Sequence, residues 1–263
     1  MKLLTLDIET APALGDVWSL WNVNVGLSQL RQVSTVICFA AKWHDSTKVE
    51  YFSDFHHGHE DMVAAAYDLL GDADAVQHYN GTRFDLPHLR REFLLAGMPP
   101  HKPVQEIDLM KVVKAKFRFM SNKLDHVAQQ LGIGSKVSHA GHSLWVRCMA
   151  GTAELAKPEA QRNQVILADA AKAWAQMKRY NIGDVRLTEE LGDRLKPWIH
   201  NYPHAGLHTG QESCCNRCAS VDLERRGYAY TPLGKFQQYR CNECGGWSRG
   251  KTTLARVNER GVA

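Results

Sequence analysis

The opening stretch of the chain constrains its fold more than any other. It reads MKLLTLDIET, in which Leu4, Leu6 and Ile8 alternate with Thr5, Asp7 and Glu9. Strict alternation of apolar and polar residues marks a strand, and residues i and i+2 of a strand point to the same side of a sheet. Asp7 and Glu9 therefore share one face, and the apolar residues bury the other. Two carboxylates on one face repel strongly unless a cation sits between them. The strand end is then either solvated, with two surface acids, or the edge of a metal site. The early acids also interrupt any apolar leader, and no run approaches the roughly 20 apolar residues that span a bilayer. The expected location is cytoplasmic, with no membrane partner.

Two further strands are expected at 33–42 and 49–52, with His44, Asp45 and Ser46 as the turn between them. Three early strands joined in this way make an antiparallel meander. Helices are expected at 60–70, 85–96 and 124–131, each closed by a glycine, with a short strand at 75–78. An alanine-rich segment from 167 begins a long helix, expected to break near Gly183 and resume to 195. Strands first, then strands alternating with helices, predict an α/β fold in which a mixed sheet is flanked by helices. A chain of 263 residues holds one main core plus a small appendage. Pro197 and Pro203 mark a linker, and the Gly/His/Ser-rich stretch 204–213 is the expected boundary, giving domains at 1–205 and 206–263.

Two more fragments carry acids. Asn80-Gly81-Thr82-Arg83-Phe84-Asp85 follows a strand and opens a helix, a place where aspartate also serves as an ordinary N-cap. Tyr180 and Asp184 are four residues apart and stack on one face if helical; alone, they read equally well as a tyrosine beside a surface acid. Taken in order, the three fragments give Asp-x-Glu on a first strand, Asn-x-x-x-Phe-Asp, then Tyr-x-x-x-Asp on a late helix. This set resembles the DEDD (DnaQ-like) 3′–5′ exonuclease superfamily in its tyrosine subclass. The histidine subclass would carry His at the position of Arg179. The resemblance is greatest to the proofreading exonuclease domain of family B DNA polymerases and their free-standing relatives, and it covers about residues 1–200. The segment 124–132, followed by Lys136, resembles the helix between the second and third motifs of those relatives.

The resemblance implies an RNase H-like fold in which Asp7, Glu9, Asp85 and Asp184 hold two Mg²⁺ or Mn²⁺. It implies that Asp7, Glu9 and Asp184 bind the ion that activates water, that Asp7 bridges to the second ion, and that Asp85 holds that second ion through water. Tyr180 would orient the water by its hydroxyl, since a phenol with an ordinary pKa of about 10 is a poor base at neutral pH. Asn80, Phe84 and Thr10 would contact the terminal nucleotides: Asn80 at sugar or base, Thr10 through its backbone at the 3′-hydroxyl, and Phe84 by stacking, unless it packs in the core. The chemistry agrees. Hard cations take oxygen ligands, and two of them about 4 Å apart stabilise both the attacking and the leaving oxygen of an in-line displacement.

Of seven cysteines, Cys38 and Cys148 stand apart and read as core residues, and five fall between Cys214 and Cys244. Cys215/Cys218 and Cys241/Cys244 form two CxxC pairs 22 residues apart. With no secretory leader, four thiolates so spaced read as a structural Zn²⁺ site of the zinc-ribbon kind, with Cys214 a spare. Some 50 residues are too few to fold on apolar burial alone, so the metal would supply much of the folding energy. The net charge of +4 lies entirely here: residues 206–263 carry nine Lys/Arg and five Asp/Glu, and the remainder balances at zero. Tyr228, Tyr230, Phe236, Tyr239 and Trp247 interleave with these bases. Such a mixture suits contact with single-stranded nucleic acid, and equally a small aromatic core with solvated arginines.

The expected function is a free-standing two-metal-ion 3′–5′ exonuclease of single-stranded nucleic acid, DNA favoured over RNA, of a kind suited to a phage or mobile element. The ribbon would serve as a substrate module or dock a replication or repair protein. An RNase on the same site and a non-catalytic binding module are the rivals. Among thirteen histidines, His139 or its neighbour Lys136 could line the substrate groove, while His142 is expected in a loop. Trp18 and Trp21 either pack or face substrate.

Overall fold

The computed structural model describes residues 1–138 and 140–259; His139 lies outside them. These divide into two compact units, Lys2–Lys114 with Arg118–Leu191, and Ala115–Phe117 with the residues from Gly192 onward.

The first unit is built on a five-stranded sheet of β1 (Leu3–Thr10), β2 (Val36–Trp43), β3 (Val49–Ser53), β4 (Ala75–His78) and β5 (Gln105–Asp108), in the order β3-β2-β1-β4-β5. The early strands β1, β2 and β3 pair antiparallel, β2 and β3 through a short turn and β1 and β2 across the longer segment 11–35, whereas β1, β4 and β5 run parallel. Parallel neighbours need crossovers, supplied by α1 (His59–Asp72) before β4 and α2 (Asp85–Leu95) before β5. After β5 come α3 (Leu109–Lys116), α4 (Leu124–Gln130), α5 (His142–Leu155) and α6 (Gln164–Leu195).

The alternation of β1 sorts the two faces of the sheet. Leu4, Leu6 and Ile8 join Phe39, Met62, Ala66, Leu86 and Leu89 in a core beneath α1 and α2. On the other face Ile37, Cys38, Ala40, Leu144, Cys148, Ala173, Trp174 and Met177 form a second core with α5 and α6. Asp7 and Glu9 point to that second face, the one α6 covers.

Three details differ from the sequence reading. β5 had no periodic signal, because Gln105–Asp108 contains one apolar residue, Ile107, and α3 was passed over although Leu109 and Val113 sit one turn apart on its buried face. His142 opens α5 rather than lying in a loop. The break expected at Gly183 is absent, and α6 runs unbroken for 32 residues. A Cβ on Gly183 would lie 2.8 Å from Cγ2 of Val137, so this glycine admits the close approach of the 137 segment and does not bend the helix.

The second unit contains a three-stranded antiparallel sheet of β6 (Leu223–Thr231), β7 (Gly234–Cys241) and β8 (Trp247–Arg256), ordered β8-β7-β6. Its outer strands β6 and β8 are largely exposed, the central β7 is half-buried, and Cys241 is the one buried residue of the three. Among the described residues, no helix is long and apolar enough to cross a membrane.

Candidate active site

Each acid of the sequence motifs is delivered by a different local device. Asp7 and Glu9 come from the free end of β1. β4 pairs with β1 only over Leu3–Thr5, so the ladder forks beyond Thr5. The N–H of Ile8 then donates to Oδ1 of Asp85 at 3.0 Å. Asp85 is therefore more than a helix cap: it is the first residue of α2, 3% exposed, and its carboxylate is fixed against β1. Asp184 comes from α6 and is 1% exposed. Oxygens of Asp7, Glu9 and Asp184 lie within 4.8 Å of one another. Asp85 is not in that closest group, but its charge acts on Asp7.

The segment that presents Asp85 is held from below. The N–H of Asn80, which adopts a left-handed φ of 70°, donates to Oδ1 of Asp108 at 3.0 Å, and the same oxygen accepts from Met110 N at 3.0 Å. Gly81 N donates to Nδ1 of His78 at 3.0 Å. Burial holds His78 neutral, with a pKa lowered to about 4, although Asp108 lies beside it. A Cβ on Gly81 would sit 2.4 Å from Cγ of this fully buried ring. Gly81→Ala is therefore expected to cost roughly 1–3 kcal/mol as an overpacked site and to reduce activity by displacing Asp85. Thermal unfolding of the variant checks it; an unchanged melting temperature would contradict the close approach.

Two residues complete the cluster. Asn181, fully buried, donates its side-chain amide to Oδ2 of Asp7 at 2.7 Å and to the Asp7 carbonyl at 3.2 Å. Sequence reasoning passed over it, although it lies three residues before Asp184, a spacing that shares a helix face. Lys136 Nζ donates to Asp184 Oδ2 at 2.5 Å and to the Tyr180 hydroxyl at 3.0 Å. Its backbone is set by Asp125 Oδ1, which accepts from Lys136 N at 2.7 Å. Burial disfavours the ammonium, but Asp184 and Tyr180 outweigh it and raise the lysine's pKa. Tyr180 is itself pushed up, by burial first and then by Asp184, so its hydroxyl keeps its proton. Phe84 is not core: it is 39% exposed and meets His88 edge-on. Thr10 and Asn80 are half-buried. Trp18 and Trp21 do not pack; they are 99% and 84% exposed.

The carboxylates carry charge that one lysine does not balance. Burial, then Asp85, Glu9 and Asp184, raise Asp7 well above the usual range. Burial and Asp184 lift Glu9 to about 8, and burial lifts Asp85 to about 7. Folded pKa values above the unfolded ones mean that the folded chain holds protons the unfolded chain has lost. Their contribution to stability therefore falls as pH rises from about 4 to about 8. A divalent cation held by these acids would replace those protons. The stabilisation produced by adding Mn²⁺ is thus expected to grow between pH 5 and pH 8, measured as the difference in melting temperature with and without the ion. A constant or shrinking difference would count against the cluster as a cation site.

In the second unit, sulfurs of Cys215, Cys218, Cys241 and Cys244 lie within 4.8 Å of one another, with Cys215–Cys244 at 3.5 Å and Cys218–Cys241 at 3.6 Å. A tetrahedron with metal–sulfur bonds of about 2.3 Å has edges of about 3.8 Å. Each pair sits in a tight turn: Ala219 N donates to the Cys215 carbonyl and Gly245 N to that of Cys241. The four-cysteine cluster fits a zinc ribbon. Cys214 points away, toward the carbonyl of Gln211.

A mixed sheet with an antiparallel meander, parallel crossovers and acids at the end of its first strand defines an RNase H-like fold. Residues 25–150 match the RNase_H_2 model of the RNase_H superfamily, a superfamily whose members are typically nucleases that use divalent metals. The matched stretch includes Asp85; Asp7, Glu9, Tyr180 and Asp184 lie outside it. Among solved structures, the chain is similar to the family B DNA polymerase from the hyperthermophilic archaeon Pyrobaculum calidifontis, at 19% identity and a TM-score of 0.53. The alignment covers 91% of this chain and 33% of the polymerase, so the chain spans about a third of that protein's length. No curated protein matches the chain.

Proposed function

We propose that the chain is a two-metal-ion 3′–5′ exonuclease acting on single-stranded nucleic acid, DNA in preference to RNA. The observation that carries this reading is the convergence of carboxylates from residues 7, 9 and 184 to within 4.8 Å, with Asp85 hydrogen-bonded to the same strand. The donor set is all oxygen and over-supplied with negative charge, which fits Mg²⁺ or Mn²⁺ and not a softer ion. Asp7, Glu9 and Asp184 would hold one ion and Asp7 and Asp85 the other. Two such cations supply a nucleophile at neutral pH and neutralise the charge on the leaving oxygen.

The remaining residues position. Asn181 fixes the rotamer of Asp7, the carboxylate asked to serve both ions. Tyr180, protonated, orients water by hydrogen bonding and does not abstract its proton. Phe84 presents an exposed ring for a terminal base, with Asn80 and Thr10 beside the sugar. The Zn²⁺ assigned to Cys215, Cys218, Cys241 and Cys244 is structural. The similarity to a DNA polymerase is what favours DNA.

The test is a time course with Mg²⁺ or Mn²⁺ on matched DNA and RNA oligonucleotides labelled at either end. Single-nucleotide shortening from the 3′ end of DNA is expected. Cleavage of RNA alone would replace the substrate assignment. No cleavage of either strand with Mn²⁺ would leave a non-catalytic nucleic-acid-binding module as the account.

A further inference from the structure

We propose that one face of the sheet β6-β7-β8 is a binding surface for single-stranded nucleic acid, with Tyr228 and Tyr230 as stacking platforms and Arg225 and Lys235 as phosphate contacts. The proposal rests on the nuclease reading only for the choice of nucleic acid over other polyanions.

Register assigns the face. Arg225 pairs with Tyr239, Tyr228 with Gln237, and Tyr230 with Lys235. Residues opposite one another, and those two apart on β7, share a side of the sheet. Arg225 and Tyr228 are three apart and would fall on opposite sides of a regular strand. A bulge between them, where Gly227 takes a φ of 67°, adds the residue that brings them to the same side. The face therefore carries Arg225, Tyr228, Tyr230, Lys235, Gln237 and Tyr239. Lys235 Nζ lies 3.8 Å above the ring of Tyr228.

Both faces carry bases, the reverse with Arg240, Arg249 and Arg256 by register, and what separates them is where the acid lies. Glu224 is the one acid within the three strands. It pairs with Arg240 in register and binds Arg226 at 3.1 Å, on the opposite side. The proposed face has bases and no acid. Its tyrosines are not there to make a core: Tyr230 is 71% exposed and Tyr228 46%. Exposed rings beside cations on an acid-free face match a strand whose bases stack and whose phosphates are paired.

The experiment uses the zinc-loaded 263-residue chain carrying Asp7→Asn, so that strands are bound without being cut. Binding of a fluorescein-labelled 20-mer of thymidylate, and of the corresponding uridylate, is followed by anisotropy across a range of salt. Tyr228→Ala with Tyr230→Ala is expected to weaken binding about tenfold or more. Arg225→Glu with Lys235→Glu is expected to do the same and to lower the salt slope by about 0.7 per lost phosphate contact. Trp247→Ala with Arg249→Glu, on the reverse face, is expected to change binding less than about twofold. One zinc per chain in every variant shows that the ribbon is intact. Parental binding in both front-face pairs, or an equal loss from the reverse pair, would overturn the proposal. So would binding carried by a protein ligand with none to oligonucleotide. The nuclease reading fails separately: wild-type protein that binds strands through this face and cuts none with Mn²⁺ would sink that reading and leave this one standing.

Discussion

Asp7→Asn is expected to lower strand cleavage by roughly a thousandfold or more while making the cation-free protein harder to melt. The two effects have one cause. Asp7 is the acid most crowded by others: Asp85, Glu9 and Asp184 all raise its pKa, after burial. Removing its charge relieves that repulsion in the empty cluster. The asparagine is nearly isosteric, and its oxygen can still accept from Asn181 as Oδ2 does now at 2.7 Å. Yet the same change removes the proposed shared ligand, and metal-ion charge stabilisation of several kcal/mol corresponds to about three powers of ten or more in rate. Opposite signs for stability and activity distinguish a charge-strained metal site from a merely structural acid. Cleavage assays with Mn²⁺ and melting curves without it report both. Full activity in the variant, or a fall in cation-free stability, would contradict the assignment.

Cys241→Ser is expected to unfold the second unit while the first still melts cooperatively. The strands β6 and β8 are mostly exposed and β7 is only half-buried, so the sheet gains little from apolar burial. Cys215 and Cys241 are its deepest thiols, each 1% exposed. Structural zinc sites contribute about 10–16 kcal/mol of apparent binding free energy to small domains, more than a sheet this exposed can replace. Loss of one thiolate should release the metal and remove the amide protection of all three strands in hydrogen exchange. A variant that keeps its protected sheet without bound zinc would show that the cysteines are not its main support.

The first strand and its acids were legible because period-two alternation is a local signal. The ordered acidic fragments gave the RNase H-like architecture, which the mixed sheet bears out. The four cysteines were legible for the same reason, since CxxC spacing is itself the turn geometry. Contacts between distant segments were not. Nothing near Lys136 shows that its ammonium reaches Asp184, and nothing near Asp125 shows that it anchors Lys136 by the backbone. Asn181 was passed over because its partner, Asp7, lies 174 residues away. Gly183 was read as a helix break, since a glycine's meaning depends on what approaches it, here Val137.

The fork of the sheet beyond Thr5 gives the molecule a built-in spectator. The Ile8 amide donates to Asp85 itself, so its proton senses whatever happens to that carboxylate. Protonating Asp85 or drawing its electrons toward a cation should move the Ile8 amide resonance. Occupancy of the second ion position could then be followed by nuclear magnetic resonance on the main chain of β1, with no substrate and no turnover.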